Sequence, residues 1–530
     1  MKELKKLALP ADGWAGLKEN FSTDAMAGFS VFLLALPLSL GIAKAGGIPP
    51  VMGLLSAVIG GLIVSFISGS RLTIKGPAAG LIVIVAGAVT EFGGGEMGWH
   101  LAAGTMVVAG VIQILFGVLK FGKLVDFFPL SAIHGMLAAI GIIIIVKQIP
   151  VLLDINPAET KGLSIFELTK HIFDYFNHLD SKASFIGFVS LAIMMSWGKI
   201  KQPLISKIPA PLVVLIFAIP TELFMDFKHT EPEYALVHVG NVLDSITFNA
   251  SFKGISQTGI FVKYVIMFAL VGSLESLLTV KAVDLLDPYK RKSNNNKDLI
   301  AVGVGNTLGA VLGAYPMIAE VARSSANVSI GAKTRWANFF HGLFMLIFLL
   351  LGVAFIEMIP NAALAAMLIT VGIRLAHPKE FVNTFKIGKE QLAIFLITII
   401  FTLIEDLLVG IAAGIVLKMI FSAIHGAPLS SFFKAPTMVA FEGDKYVVTI
   451  DKAAMFTNVL GINRKLAEIP PGFNITIDLS RTKLVDHTVM ESLHHFIHDY
   501  EAGNGTAKII GLDEHMPLGK SNFAARKKKK

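Results

Sequence analysis

The chain of 530 residues contains no cysteine. That excludes disulfides, thiolate metal sites and cysteine nucleophiles. Charge is also scarce: Asp, Glu, Lys and Arg together make up 16% of the residues, against about a quarter in soluble globular chains. Apolar residues reach 54% and the mean hydropathy is +0.68, so the deficit of charge points to a lipid bilayer. A net charge of +8 is explained by loops beside apolar spans, not by a nucleic-acid surface. The N-terminus is polar up to about Asp24, and no removable signal peptide is visible in it. No nucleophile–base pairing and no metal constellation stands out, and the three histidines His494, His495 and His498 have no second ligand cluster. The chain therefore does not read as an enzyme.

What is present is a succession of apolar runs of spanning length, a span needing about 20 residues. They lie near 25–44, 50–69, 77–91, 98–119, 129–153, 183–198 and 209–226, then near 261–280, 299–314, 317–330, 336–356, 361–375, 389–403 and 405–424. A polar stretch, 227–260, separates the two sets. Seven spans per set force the second set to enter the membrane with opposite orientation, the arithmetic of an inverted repeat. Lys2, Lys5, Lys6 and Lys18 place the N-terminus in the cytoplasm. Arg71 and Lys75, Lys120 and Lys123, Lys199, Lys201 and Lys207, and the basic groups of 290–297 then fall in cytoplasmic loops. Both termini are cytoplasmic on this count, with residues 1–23 as a short N-terminal segment and 24–425 as the transport domain.

From about 437 the pattern changes to β-branched strands and amphipathic helices. Strands are expected at 445–450, 474–479 and 507–511, with helices at 457–468 and 488–501. This is a small α/β domain, 437–518, followed by a basic tail, 519–530, whose basic run from Arg526 to Lys530 is expected to be disordered.

Two of the spans are short and open on proline-containing breaks, Gly76-Pro77-Ala78-Ala79-Gly80 and Tyr315-Pro316-Met317. They are the third of each set. Extended stretches, 71–75 and 311–314, precede them and must pair inside protein or line a cavity at membrane depth. Two half-helices then direct their N-termini into a shared cavity, where free N–H groups favour an anion. The residues at these starts are Ala78, Ala79 and Gly80, and Met317, Ile318 and Ala319. Glu275 lies in the middle of the eighth span, with Thr279 one turn on; an intramembrane carboxylate is a candidate for H⁺ or Na⁺ coupling. Glu320 and Arg323 are spaced i, i+3, which allows either a self-contained ion pair or positive potential from Arg323 behind an anion, with Glu320 modulating it or taking a proton.

Several runs together resemble the SulP (solute carrier 26) anion transporters. These are Ala35-Leu36-Pro37, residues 45–54, Gly69-Ser70-Arg71, Gly76-Pro77, Pro316 with Arg323, Asn327, residues 331–335 and the segment 272–279. Ile477-Asp478-Leu479-Ser480 and Val485-Asp486-His487-Thr488 resemble the STAS domain that ends such chains. The resemblance implies an all-α polytopic membrane domain of 14 segments, a 7+7 inverted repeat with two half-helices, and an α/β STAS-like cytoplasmic domain. It also implies a homodimer in the plasma membrane, an anion held between half-helices three and ten against Pro37 of span one, and sulfate or bicarbonate as substrate. Glu275 and Thr279 match the cation-coupling positions of the bicarbonate type, with no cofactor beyond Na⁺ or H⁺. Glu320 and Ala322 stand where the family often has small or hydroxylated residues, Leu38 stands where it has a glutamine or another polar residue, and His487-Thr488 stand where soluble STAS proteins have a phosphorylated serine, which makes Thr488 a phosphosite candidate. Two other readings remain at this point: a nucleobase permease of the same plan, holding a base on Glu275 and Glu320, and a membrane sensor acting through the STAS-like domain.

Overall fold

A computed structural model describes residues 9–529, apart from 124–127, 161–162, 201, 203–207, 239–245, 406, 435 and 503–504. Lys2, Lys5, Lys6, Lys201 and Lys207 lie outside the described residues. The chain is 68% helical. It forms two compact units, one of residues 1–122 and 140–374, the other of 123–139 and 375–530.

Each of the apolar segments is occupied by helix. We label these α1 (Gly13–Ala45), α2 (Val51–Ile59), α3 (Ile82–Glu91), α4 (Gly95–Val118), α5 (Leu130–Leu152), α6 (Ser181–Ser196) and α7 (Ala210–Met225). The second set is α8 (Thr258–Leu286), α9 (Asn295–Val311), α10 (Val321–Ile330), α11 (Trp336–Leu351), α12 (Asn361–Leu375), α13 (Lys389–Ile404) and α14 (Leu407–Ile424). Among the described residues, six helical stretches are long and apolar enough to cross a bilayer, and four shorter apolar ones accompany them. Lipid supplies no hydrogen bonds to an exposed backbone, and these helices satisfy theirs internally.

The first helix begins a dozen residues before the expected span. Asp12 caps it by accepting from Gly13 N–H at 2.9 Å, and non-helical torsions at Asn20 mark a kink. The segment 13–23, expected as a separate N-terminal piece, is therefore continuous with the first span. Pro37 lies inside the same helix and removes one N–H from its ladder.

Two three-residue strands interrupt the helical pattern in the first unit. β1 (Lys75–Pro77) and β2 (Met317–Ala319) pair antiparallel, with Lys75 opposite Ala319, Gly76 opposite Ile318 and Pro77 opposite Met317. The extended stretch of the second set was expected at 311–314 and lies instead at 317–319. Val311 still ends α9, and Gly313, at φ +78°, turns the chain before the strand begins.

In the second unit, residues 437–528 build two four-stranded sheets. β3 (Thr437–Glu442), β4 (Lys445–Ile450), β6 (Asn474–Asp478) and β8 (Thr506–Ile510) lie in the order 3-4-6-8, β3 and β4 antiparallel, the others parallel. β5 (Lys452–Ala454), β7 (Thr482–Val485), β10 (Arg526–Lys528) and β9 (His515–Pro517) form the other in the order 5-7-10-9. The helices α15 (Val459–Ala467) and α16 (His487–Ala502) cover a core that includes Val448, Ile450, Ile462, Ile477, Val489 and Leu493. The basic run, expected to be disordered, is strand over Arg526–Lys528: β10 pairs with both β7 and β9, and Ala524 and Ala525 before it are buried. Main-chain pairing explains what composition hid, since a run of lysines can still donate and accept along a strand edge.

Candidate functional site

The antiparallel strand pair decides the geometry. After β1 the chain makes a single 3-10 turn, Ala79–Leu81, and enters α3; after β2 it enters α10. Because the strands run in opposite directions, the two helices leave the pair in opposite directions. Bonds beyond the strands extend the pairing, from Ala78 N–H to Pro316 O at 3.3 Å and from Glu320 N–H to Ile74 O at 3.0 Å.

Side chains pin this backbone from several elements. Asn306 of α9 accepts from Met317 N–H at 2.7 Å and donates to Met317 O at 3.0 Å and to Gln113 Oε1 at 2.8 Å. Ser276 Oγ accepts from Ala319 N–H at 3.2 Å, Ser324 Oγ accepts from Ile74 N–H at 2.9 Å, and Asn327 donates to Leu72 O at 2.8 Å. Asn338 accepts from Lys75 N–H at 3.3 Å and donates to Gly60 O. Lys75 Nζ lies 2.7 Å from Asp298 Oδ2 in an ion pair with both side chains buried, and Ser68 Oγ donates to the same carboxylate at 2.7 Å. Lys75, counted from sequence as a cytoplasmic loop charge, is thus a buried strand residue: desolvation is tolerated because Asp298 and a hydroxyl surround it.

These contacts correct one expectation. Met317, Ile318 and Ala319 do not open a helix; they form β2, and the Met317 and Ala319 amides are already bonded to Asn306 and Ser276. The half-helix α10 starts at Val321, and its cap is Glu320, whose Oε2 accepts from Arg323 N–H at 3.0 Å. On the other side, Ala79 and Gly80 head the turn into α3 as expected. Against Gly80 lies the Glu275 carboxylate: a Cβ added at Gly80 would overlap it. Each half-helix start therefore faces a carboxylate of the chain itself, Glu275 for α3 and Glu320 for α10. Opposite charge at a helix N-terminus is favourable, so both carboxylates sit where the backbone dipoles draw them.

The counter-charge is Arg323. Its side chain is 1% exposed, and none of its three guanidinium nitrogens has a hydrogen-bond partner among the described residues. The i, i+3 ion pair with Glu320 is not formed; Glu320 bonds the Arg323 main chain instead. The guanidinium lies beneath Gly76, where an added Cβ would come 2.6 Å from Nη1. Glu275 Oε1, Thr279 Oγ1, Ser273 Oγ, Gln113 Nε2 and the Tyr315 hydroxyl are also buried and without partners among the described residues. Buried polar groups are almost always hydrogen-bonded, so these atoms are exceptions to the rule.

The first of these, Glu275, Thr279 and Arg323, were expected from sequence. Asn306, Gln113, Ser276, Ser324, Asn338 and the Lys75–Asp298 pair were not singled out, although each is a polar residue within or beside an apolar run. Thr488 lies outside this site, in the first turn of α16, and is buried. Asp486 caps that helix by accepting from Val489 N–H at 2.9 Å.

The sequence profile of the sulfate permease family matches residues 21–398. The chain belongs to the sulfate permease family. It is a family of transporters, and the chain is an integral membrane protein. A putative sulfate transporter of Bacillus subtilis, YvdB, is 26% identical over 93% of this chain and 92% of its own length. The bicarbonate transporter BicA of Picosynechococcus is 24% identical over 75% of this chain and 69% of its own. Among solved structures, SLC26A9 superposes with a TM-score of 0.67 at 16% identity, covering 93% of this chain and 85% of that one. The transmembrane domain of the cyanobacterial BicA gives 0.63 at 20% identity, covering 75% and 97%. The membrane fold of this sulfate permease family chain is that of the SLC26 proteins.

Proposed function

We propose that the chain is a secondary active transporter of a small oxyanion, sulfate or bicarbonate, driven by an inward gradient of H⁺ or Na⁺. The observation that carries this reading is the Glu275 carboxylate against Gly80, with one buried oxygen that has no partner among the described residues, while the buried Arg323 guanidinium has no hydrogen-bond partner among them either. An anion entering between the half-helices meets two carboxylates at the very sites where backbone dipoles favour negative charge. Neutralising Glu275 by a proton, or by Na⁺ held with Thr279, removes that repulsion and leaves Arg323 and the amides at the starts of α3 and α10 to hold the anion. Cation and anion then bind together because each is unfavourable alone, which is the thermodynamic content of coupling.

In this reading Pro37, Ala78, Ala79, Gly80, Arg323 and the strand β2 border the anion, Glu275 and Thr279 serve the cation, and Glu320 tunes the charge. The fourteen helical segments cross the membrane as two inverted groups of seven. The antiparallel β1–β2 pairing between their third members supports this. Both termini lie in the cytoplasm of the plasma membrane, two copies associate, and the α/β segment acts as a STAS-type regulatory domain. The family match argues against a nucleobase as cargo.

The test is uptake of radiolabelled sulfate and bicarbonate into proteoliposomes under imposed Na⁺ or pH gradients. Accumulation of one of them under one gradient is expected. No accumulation of either anion under either gradient would overturn the reading.

A further inference from the structure

Asp154 follows α5, Asp180 caps the start of α6, and Glu231 lies shortly beyond α7. One carboxylate oxygen from each lies within 4.8 Å of the other two. Asp180 N–H donates to Leu153 O at 3.2 Å, and Asp180 Oδ1 accepts from the Lys182 and Ala183 amides at 2.8 Å. Glu231 Oε1 accepts from Lys182 Nζ at 3.0 Å and from the Thr230 hydroxyl at 3.2 Å. Asp154 is different. It is 9% exposed, and among the described residues its carboxylate accepts no hydrogen bond and forms no ion pair. Buried charges in proteins are paired or coordinate metals, and this one faces two further carboxylates.

The charges acting on Asp154 are those of Asp180, Glu231 and Lys44, the last in the final turn of α1. Lys182 adds one more cation, held between Glu231 and Thr230. Three carboxylates therefore face two ammonium groups, and the cluster keeps a net negative charge with both lysines charged. Its donors are all oxygens: His171 and His178 bond Asp174, and His229 bonds Asp226. Oxygen donors without imidazole or thiolate suit a hard cation. Three atoms within 4.8 Å of one another have a common centre at most about 2.8 Å from each, close to the ~2.3–2.6 Å of Ca²⁺–oxygen bonds and well beyond the ~2.0–2.1 Å of Mg²⁺.

We propose that Asp154, Asp180 and Glu231 bind Ca²⁺, at a site separate from the half-helices and independent of the anion reading above. The Thr230 hydroxyl, already bonded to Glu231, and water supply further oxygens. The ion ties the end of α5 and the start of α6 to the segment after α7. That segment is itself fixed at the start of α12, where Asn361 Nδ2 donates to Tyr234 O at 2.7 Å and to Leu236 O at 2.6 Å, and Val237 N–H donates to Ile359 O at 3.0 Å. Ca²⁺ therefore holds four helix ends in one arrangement. On the topology proposed above these ends face outward, and extracellular Ca²⁺ modules bind with dissociation constants of about 10⁻⁴–10⁻³ M.

The experiment uses the purified full chain in detergent, stripped with EDTA and titrated with CaCl₂ or MgCl₂ to about 10 mM, well above that range of dissociation constants. Calorimetry should show saturable Ca²⁺ binding, and the unfolding midpoint should rise with the same concentration dependence. Mg²⁺ should bind about tenfold more weakly or worse, because its shorter bonds need a larger movement of the three carboxylates. Asp154→Asn and Glu231→Gln should each weaken Ca²⁺ by about tenfold or more, since affinity follows the number of charged ligands. Without Ca²⁺, Asp154→Asn should be at least as stable as the wild type, because it removes repulsion between carboxylates. Lys182→Gln should bind Ca²⁺ more tightly, because it frees Glu231 from a competing cation. Absence of saturable Ca²⁺ binding, Ca²⁺ affinity unchanged in both carboxylate variants, or equal affinity for Mg²⁺ would each overturn the proposal. So would weaker Ca²⁺ binding in Lys182→Gln, since the cluster would then be closed by its own lysine.

Discussion

The Glu275 carboxylate occupies the space that a side chain at Gly80 would need. Glycine leaves room there for the carboxylate, and its torsions are ordinary. Gly80→Ala is expected to push the carboxylate off the start of α3. Overpacking of this kind costs about 1–3 kcal/mol, which corresponds to about fivefold to about 160-fold in rate if the strain is felt in the transport step. Cation-driven uptake should fall by that factor while the protein still elutes as a folded species. Wild-type uptake in Gly80→Ala would show that Glu275 works elsewhere.

The Lys75–Asp298 pair makes a different prediction, about stability. Removing one partner leaves a buried charge uncompensated, at a cost of about 3–5 kcal/mol, while replacing both by apolar residues is often neutral. Lys75→Met and Asp298→Leu should each lower the unfolding midpoint in detergent strongly. The double variant should recover most of the loss. Additive losses in the double variant would mean that the pair does more than neutralise itself, since Ser68 also bonds Asp298.

How much of this was legible beforehand differs between residues. Glu275, Thr279 and Arg323 stood out because a charge inside an apolar run has few explanations. The paired short spans stood out because Pro77 and Pro316 punctuate both. What the sequence could not show is where each break turns from strand to helix. Pro77 ends β1, whereas Pro316 precedes β2, so the same residue type marks different points in the two halves. Lys75 beside Arg71 looked like any loop pair, and only the approach of Asp298, more than two hundred residues away, makes it internal. Asn306 escaped notice for the same reason: its partners Gln113 and Met317 come together only through tertiary packing.

Asp12, which precedes α1, yields a pH prediction. Burial pushes its carboxyl upward, but hydrogen bonds from Arg335 and Gly13 N–H, with the charges of Arg335 and Arg71, outweigh burial and hold it below the usual carboxylate range. Both carboxylate oxygens lie 3.0 Å from Arg335, and Arg71 approaches to 3.3 Å. A depressed value means that the contribution to stability is complete above the unfolded-state pKa and disappears as pH falls through the folded one. The start of α1 should therefore become open to proteolysis and hydrogen exchange in acid. Asp12→Asn should show that exposure already at neutral pH. Equal exchange at the two pH values would remove Asp12 from this anchoring role.

The C-terminal strand gives the last prediction. β10 sits between β7 and β9, so its loss leaves β9 without a neighbour and exposes the edge of β7. His487 Nδ1 bonds Phe523 O at 2.7 Å, which ties the same segment to the first turn of α16. Deleting residues 521–530 is expected to make the α/β segment sensitive to limited proteolysis in the full chain. Ala524→Asp should do the same with the tail retained, because Ala524 is fully buried and an unpaired carboxylate there would be strongly destabilising. If both variants resist protease as the wild type does, the tail lies on the sheet without supporting it. If only the deletion is sensitive, the main-chain pairing of β10 stabilises the segment and the packing around Ala524 does not.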